Sequence, residues 1–115
     1  MREEEHNIQC ACVRWFNLQW PEYRGLLFAV PNGGARSKAT AGKLKAEGVV
    51  PGVSDLILLV PKLCHHALCI EMKTAKGRQS PEQKGWQEMV EAHGYRYRVC
   101  RSLDEFMAVV NGYLT

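Results

Sequence analysis

The sequence predicts an α/β fold in which helices flank a mixed sheet. Three observations support this prediction: apolar residues at helical spacing near the start, two apolar runs without alternation in the middle, and two helix-start motifs in the last third. The predicted order of elements is α-β-α-β-β-α-β-α. Because 115 residues, 46% of them hydrophobic, suffice for one core but not for two, residues 1–115 are expected to form a single domain.

The first half of the chain is predicted to hold two helices with a strand between them. The apolar stripe of the first helix consists of Ile8, Cys12, Trp15 and Phe16. The expected elements are a helix over about 3–18, a strand over 26–30, a turn over 31–35 and a short helix over 38–47 that Gly48 ends.

Two apolar runs in the middle of the chain are predicted to be neighbouring strands. Residues 56–60 lack alternation, as expected for a strand buried on both faces, and residues 67–74 follow after a short connection. We expect a hairpin whose loop is centred near residue 63 or 64. Antiparallel pairing then places Asp55 across from the segment Glu71 to Lys73.

The last third of the chain predicts a helix, a strand and a final helix. Each helix opens with a capping box, Ser80-Pro-Glu-Gln83 in the first case and Ser102-Leu-Asp-Glu105 in the second. The strand between them covers residues 95–100, after Gly94 ends the first helix. The residues expected to face inward are Trp86, Met89, Val90 and His93 in the first helix and Phe106, Val109, Val110 and Tyr113 in the second.

Composition excludes several classes of protein. No apolar run approaches the roughly 18 residues that a membrane span needs, and the acidic start does not resemble a signal peptide. We therefore expect a soluble, cytoplasmic protein with no membrane partner and no implied protein partner. Five cysteines, an odd count, favour free thiols, and the Cys64-His-His66 and Cys69 spacing matches no familiar zinc site. A net charge of +3 is compatible with a nucleic-acid partner.

Three charged residues are predicted to converge at the end of the hairpin. Glu71 and Lys73 are two apart in a strand and so project from one face, opposite Asp55. Two carboxylates with a gap between them suit Mg²⁺, and the carbonyl of Met72 is a candidate third ligand. A bound metal would activate a water and polarise a phosphate, while Lys73 would orient the water or neutralise developing charge. The alternative is a buried salt bridge with no catalytic role.

Five linked motifs resemble those of the VRR-NUC nuclease family, and of its stand-alone, virus-type members in phages and bacteria in particular. They are Pro31-Asn-Gly-Gly-Ala-Arg36, Leu44-Lys-Ala-Glu-Gly-Val49, Pro51-Gly-Val-Ser-Asp55, Ile70-Glu-Met-Lys73 and Ser80-Pro-Glu-Gln83, and they span nearly the whole chain in order. The resemblance implies the restriction-endonuclease-like PD-(D/E)xK fold. Ser54 stands where the family usually has proline, a residue that shapes the turn and supplies no ligand.

The same resemblance implies an activity and a set of roles. Asp55 and Glu71 would bind the metal, Mg²⁺ or Mn²⁺, Lys73 would be the catalytic lysine, and Glu5 would be the acid contributed by the first helix. Single-domain relatives resemble Holliday-junction resolvases, so the expected partners are branched DNA and a second copy of the chain. Junction resolution needs two active sites on opposed strands, which one domain supplies by pairing with itself.

Several residues have both a functional and a structural interpretation. Glu5 either continues the inward stripe of the first helix toward the site, or interacts favourably with the helix dipole as an acid in the first turn. Gln83 holds the attacking water or a phosphate, or closes its capping box, or does both. The candidate DNA contacts are the amides of Asn32, Gly33 and Gly34 and the side chains of Arg36, Lys38, Lys76 and Arg78. For Arg96 and Arg98, we favour solvent over DNA.

The leading hypothesis is a structure-selective endonuclease. A flap or single-strand nuclease would act as a monomer. A catalytically silent DNA-binding module would be expected to lack Asp55, Glu71 or Lys73, and all three are present. A structural or inhibitory protein would bind neither Mg²⁺ nor DNA.

Overall fold

A computed structural model describes residues 3–31 and 37–115 of the chain. Its elements, in order, are α1 (Glu3–Gln19), a short 3-10 turn (Pro21–Tyr23), β1 (Leu27–Ala29), α2 (Lys38–Ala46), β2 (Leu56–Leu58), β3 (Leu68–Met72), α3 (Pro81–Ala92), β4 (Arg96–Cys100) and α4 (Leu103–Leu114). The predicted order and the mixed sheet are confirmed. The 3-10 turn was not predicted, and the strands are one to three residues shorter than expected at one or both ends.

The four strands form one sheet in the order β1-β2-β3-β4. The pairs β1–β2 and β2–β3 are antiparallel, whereas β3–β4 is parallel because α3 crosses over between them. The predicted hairpin is therefore confirmed, with Leu56 opposite Ile70 and Leu58 opposite Leu68. All five residues of β3 are buried, as expected for a central strand covered on both faces.

Helices α1 and α4 pack on each other and on one face of the sheet. Cys12 and Phe16 of α1 meet Phe106 and Val110 of α4 in a core that includes the apolar residues of β2 and β3. At the far end of α4, the Tyr113 hydroxyl donates a hydrogen bond of 2.7 Å to the carbonyl of Val60. The predicted inward residues of α1 and α4 are correct, with Ile8, Trp15 and Val109 partly buried at the margin.

Helix α3 covers the other face of the sheet less completely. It has no buried residue, and the prediction of a buried stripe is wrong for Met89, which is 53% exposed, and for His93, which is also exposed. Trp86 and Val90 are half-buried, and the Trp86 ring contacts Tyr97 of β4 edge-to-face. The stripe is narrower than predicted because only part of the α3 surface packs against the sheet, with Trp86 against Tyr97 of β4.

The two predicted capping boxes have different outcomes. Both reciprocal hydrogen bonds of the box at the start of α3 are present, between Ser80 and Gln83. At α4 the Ser102 hydroxyl accepts from the Glu105 amide, but the Glu105 carboxylate accepts from the amide of Arg101, one residue earlier than a closed box requires. None of the helices in the described residues is long and apolar enough to cross a bilayer. All five cysteines are free thiols.

Candidate active site

Asp55 lies directly before β2, opposite the end of β3. Continuing the strand register places it across from Glu71, as the sequence predicts. The Oδ2 atom of Asp55 accepts a hydrogen bond of 2.7 Å from the backbone amide of Met72. This bond links the residue before β2 to the last residue of β3 and fixes the carboxylate beside the end of that strand.

Glu71 is a buried carboxylate surrounded by polar groups. Its side chain is only 2% exposed, and its Oε2 accepts a hydrogen bond of 2.7 Å from the amide of Gln83. The ammonium of Lys73 lies 3.5 Å from the same oxygen, and the hydroxyl of Tyr97 lies 3.5 Å from Oε1. Burial, and next the negative charge of Asp55, raise the pKa of Glu71 to about 8, against the opposing effect of Lys73.

Gln83 uses both ends of its side-chain amide. Its oxygen accepts a hydrogen bond of 2.8 Å from the backbone amide of Ser80 and so closes the start of α3. Its nitrogen donates to Glu71. The capping role is therefore present, and the same side chain also holds Glu71, because one amide has a donor and an acceptor to offer. Contact of Gln83 with the attacking water or a phosphate stays a prediction.

A cleft of about 760 Å³ opens in front of these groups. Asp55, Glu71 and Lys73 line it, and α1 contributes Glu5 and Gln9 from the other side. The three residues of the predicted constellation and the acid of the first helix thus face one space. The segment before Asp55 also closes against the start of α3, where the backbone of Gly52 adopts a φ of 91°.

Ser54, the departure from the family's usual proline, is fully buried. Its hydroxyl donates a hydrogen bond of 3.1 Å to the carbonyl of Leu56. This bond holds the turn before Asp55 in a fixed conformation. A hydrogen bond therefore restrains the segment that proline would restrain through its ring.

Of the cationic residues proposed for DNA contact, the three that the structure describes lie outside the cleft. Lys38 is exposed at the start of α2, and Lys76 and Arg78 are exposed on the connection between β3 and α3. That connection is held by Arg101, whose guanidinium donates to the carbonyls of neighbouring residues in the loop at 2.6 to 3.4 Å. Asn32, Gly33, Gly34 and Arg36 lie outside the described residues.

Two residues of the site were not singled out from the sequence. Tyr97 reaches Glu71 from a neighbouring strand, and no local motif indicates that contact. Gln9 was given little weight, although it lies one turn after Glu5 on the same helix face. Its Oε1 atom is buried without a hydrogen-bond partner among the described residues and belongs to a side chain that lines the cleft.

The donor set suits a hard divalent cation. The described residues contain no group of three His, Cys, Asp or Glu side chains close enough to hold a metal. Asp55 and Glu71 nevertheless present carboxylate oxygens to a solvent-accessible cleft, and their mutual repulsion would be relieved by a positive ion. Gln9, whose side-chain oxygen is buried without a partner among the described residues, belongs to the lining of the same cleft.

A mixed sheet flanked by helices, with an acid before β2 and an acid and a lysine at the end of β3, defines the restriction-endonuclease-like PD-(D/E)xK class. Comparison with known proteins identifies the family within that class. The model of the VRR-NUC domain matches residues 2–104, and the chain belongs to this family. VRR-NUC domains are nuclease domains, so the chain is of nuclease type and DNA is the implied substrate.

A solved structure described as a VRR_NUC domain protein shares the whole architecture. Its TM-score is 0.83 at 26% sequence identity, with 99% of this chain and 90% of that chain covered. No curated protein matches the chain.

Proposed function

We propose that this protein is a divalent-metal-dependent endonuclease that hydrolyses DNA phosphodiester bonds. One observation carries the proposal: the buried carboxylate of Glu71 lies against Asp55 and Lys73 in a solvent-accessible cleft. A buried structural ion pair would be expected to be closed to solvent and to balance its charges. When Glu71 is ionised, this site has two negative charges for one lysine, an excess that a cation would neutralise.

Asp55 and Glu71 would hold the metal through their carboxylate oxygens, and the carbonyl of Met72 and the acid of Glu5 are the proposed further ligands. When bound, Mg²⁺ or Mn²⁺ supplies a Lewis acid that polarises the phosphate and lowers the pKa of a bound water. Asp55 is already oriented for this role by its hydrogen bond from the Met72 amide. Glu5 of α1 is half-buried and lines the same cleft.

Lys73 is the proposed catalytic lysine. Its side chain is 13% exposed and its ammonium lies beside Glu71, so it can reach a phosphate that enters the cleft without leaving its carboxylate partner. There it would neutralise the charge that builds on the phosphate or orient the attacking water. Gln83 keeps Glu71 oriented through its amide nitrogen and is proposed to act as a positioning residue or to contact the water.

The proposed DNA contacts are cationic side chains and backbone amides. Lys76 and Arg78 follow the catalytic strand on a loop that Arg101 holds in place, and this loop leads to the start of α3. Lys38, Arg36 and the segment Asn32 to Gly34 are also proposed to contact phosphates. None of these contacts distinguishes one base from another, which favours recognition of DNA shape over sequence.

The sharper form of the proposal is a Holliday-junction resolvase that acts as a homodimer. The chain carries one candidate active site, and a four-way junction requires cuts on two opposed strands. A symmetric pair of chains would provide both sites.

Cleavage of labelled four-way junction, flap, duplex and single-stranded DNA tests the proposal, using wild type and Lys73→Ala with Mg²⁺, Mn²⁺ or EDTA. Paired symmetrical nicks on the junction, dependent on metal and absent in the variant, are the expected result. Light scattering should then give the mass of a dimer. Cutting of flaps or single strands by a monomer would retain the nuclease and refute the resolvase. Absence of metal-dependent cutting would indicate a silent DNA-binding module.

A further inference from the structure

A second charged depression lies at the opposite end of the sheet from the candidate active site. We call it the hairpin groove; it is bounded by the β2–β3 connection (residues 61–66), the first half of β4 and the second half of α4. Its volume is about 440 Å³, and its charged lining consists of Lys62, Arg96 and Arg98, with His65 beside them. No acidic side chain lines it within the described part of the chain.

The two arginines of the groove lack acidic partners. Arg96 and Arg98 are half-buried, and neither forms a salt bridge with any described carboxylate. Arg98 donates instead to the backbone carbonyl of Tyr97. Half-buried arginines with spare guanidinium donors favour an anionic ligand, and phosphate oxygens match their planar donor geometry.

The tip of the connection adds an apolar group to this cationic surface. Leu63 is fully exposed and is held at a φ of 45°, a left-handed conformation that suits glycine or asparagine better than leucine. The bridge between Lys62 and His65 maintains this turn through two backbone hydrogen bonds of 3.0 and 2.8 Å. An exposed leucine in a strained turn, next to three unpaired cations, has no evident role in folding.

We propose that the hairpin groove is a nucleic-acid binding site separate from the active site, in which Lys62, Arg96 and Arg98 contact backbone phosphates and Leu63 packs against a sugar or base. The parallel register places Arg96 beside Leu68 and Arg98 beside Ile70, while Glu71 projects from the opposite face. An extended polyanion fits this row of charges better than a single phosphate does. The groove therefore holds a different segment of the nucleic acid from the one at the active site.

Binding of a labelled DNA duplex of about 30 base pairs, in EDTA and in a cleavage-silent Asp55→Asn background, tests the groove. The double variant Arg96→Gln/Arg98→Gln should weaken DNA binding at least about tenfold. The slope of the log binding constant against log salt concentration should become shallower by about 2. The matched control Arg14→Gln/Arg24→Gln removes the same charge from exposed positions and should change affinity less than about threefold. Equal effects of the two double variants would overturn the proposal.

Further variants guard against effects on folding. Arg96→Lys/Arg98→Lys keeps both charges and should retain the salt dependence of wild type. Leu63→Asn relieves the turn, so its Tm should rise by about 3 °C while DNA affinity falls. Unchanged affinity with raised Tm would remove Leu63 from the site. If the wild-type groove binds inorganic phosphate but the Arg96→Gln/Arg98→Gln variant keeps its DNA affinity, the groove is a small-anion site. If that variant changes only the oligomeric mass of the protein, the groove is a protein interface. Either result would overturn the proposal.

A separate observation concerns Gln9, and its interpretation rests on the metal dependence proposed above. The buried Oε1 of Gln9 has lost its hydration without gaining a donor among the described residues, which is destabilising in the free protein. Asp55 and Glu71 line the same cleft. We infer that Gln9 is a positioning residue that accepts a hydrogen bond from a water of the bound cation.

Metal titration followed by thermal shift, for wild type, Gln9→Met and Gln9→Glu, tests this role. Methionine has a similar length and no oxygen acceptor. In Gln9→Met, the metal concentration at the midpoint of the titration should therefore rise about 10- to 100-fold, while the Tm in EDTA stays equal to that of wild type or increases. Glutamate keeps the acceptor and should bind metal within about threefold of wild type or more tightly. A merely structural Gln9 would instead lower the Tm of Gln9→Met in EDTA and leave the metal midpoint unchanged.

The outcomes separate this inference from the proposed function. If wild type shows no shift with Mg²⁺ or Mn²⁺, the metal-dependent function fails. If wild type responds and Gln9→Met has the same midpoint, only the role of Gln9 fails.

Discussion

Replacing Glu71 by glutamine should change how the stability of the metal-free protein depends on pH. The carboxyl group has a folded-state pKa of about 8, against an ordinary value of 4.5, because it is buried and lies beside Asp55. A raised folded-state pKa means that the folded protein binds the proton more tightly than the unfolded chain does. The resulting stability is fully present below the unfolded value and is lost as pH rises through about 8.

The two pKa values set the size of the effect. Between about pH 5.5 and pH 8, wild type should lose about 3 kcal/mol of unfolding free energy from this group alone. For a domain of this length, that loss corresponds to a fall in Tm of roughly 10 °C. Glu71→Gln cannot ionise, and its amide oxygen can still accept the hydrogen bond from Gln83, so its Tm should be much less sensitive to pH over this range.

Thermal unfolding in EDTA, followed by circular dichroism across this pH range, measures the effect. The control is Glu88→Gln, which makes the same chemical change at an exposed position on α3 and should follow the wild-type curve. At about pH 8 the Glu71 variant should be more stable than wild type, an unusual outcome for a substitution in a buried site. Parallel curves for wild type and Glu71→Gln would refute the argument that this carboxylate is electrostatically unfavourable in the free protein.

Three further substitutions test other parts of the site. Lys73→Ala should reduce single-turnover cleavage at least about 100-fold, because it removes the cation beside the reacting phosphate, and a loss below about threefold would rule out a catalytic lysine. Ser80→Ala removes the oxygen that accepts a hydrogen bond from the backbone amide of Gln83 at the start of α3. It should lower the free energy of unfolding, measured with denaturant, by about 1 kcal/mol, and no change would mean that the cap is dispensable. Gly52→Ala should lower Tm by more than the control Gly25→Ala, although both glycines have φ near 90°. A Cβ at Gly52 would collide with the backbone of α3, whereas a Cβ at Gly25 meets nothing within 4 Å. Equal losses in the two alanine variants would show that φ alone sets the cost.

The hairpin and the placement of its charged residues were predictable because they depend on local patterns. An apolar run, a short connection and a second apolar run fix the register to within a residue, and the register alone places Asp55 opposite Glu71. The capping motif likewise identified the start of α3 from four adjacent residues. These parts of the fold need no knowledge of distant contacts.

The parts that were mispredicted or not singled out depend on contacts between distant segments. Met89 and His93 have helical spacing suitable for burial, but the spacing does not reveal how much of the α3 surface the sheet covers. The approach of Tyr97 to Glu71 requires the parallel pairing of β3 with β4, which is set by the crossover through α3. The second capping box failed locally, because Glu105 found the amide of Arg101 one residue earlier.

The two-ended use of Gln83 restricts what can replace it. Glutamate and glutamine close a capping box equally well, because both have an oxygen that accepts the backbone amide of Ser80. Only glutamine also offers a nitrogen that can donate to Glu71, and a glutamate here would place a third carboxyl group beside those of Asp55 and Glu71. A substitution that helix formation would tolerate is thus disfavoured by the neighbouring carboxylate. The start of α3 and the proposed metal site therefore cannot diverge in sequence independently of each other.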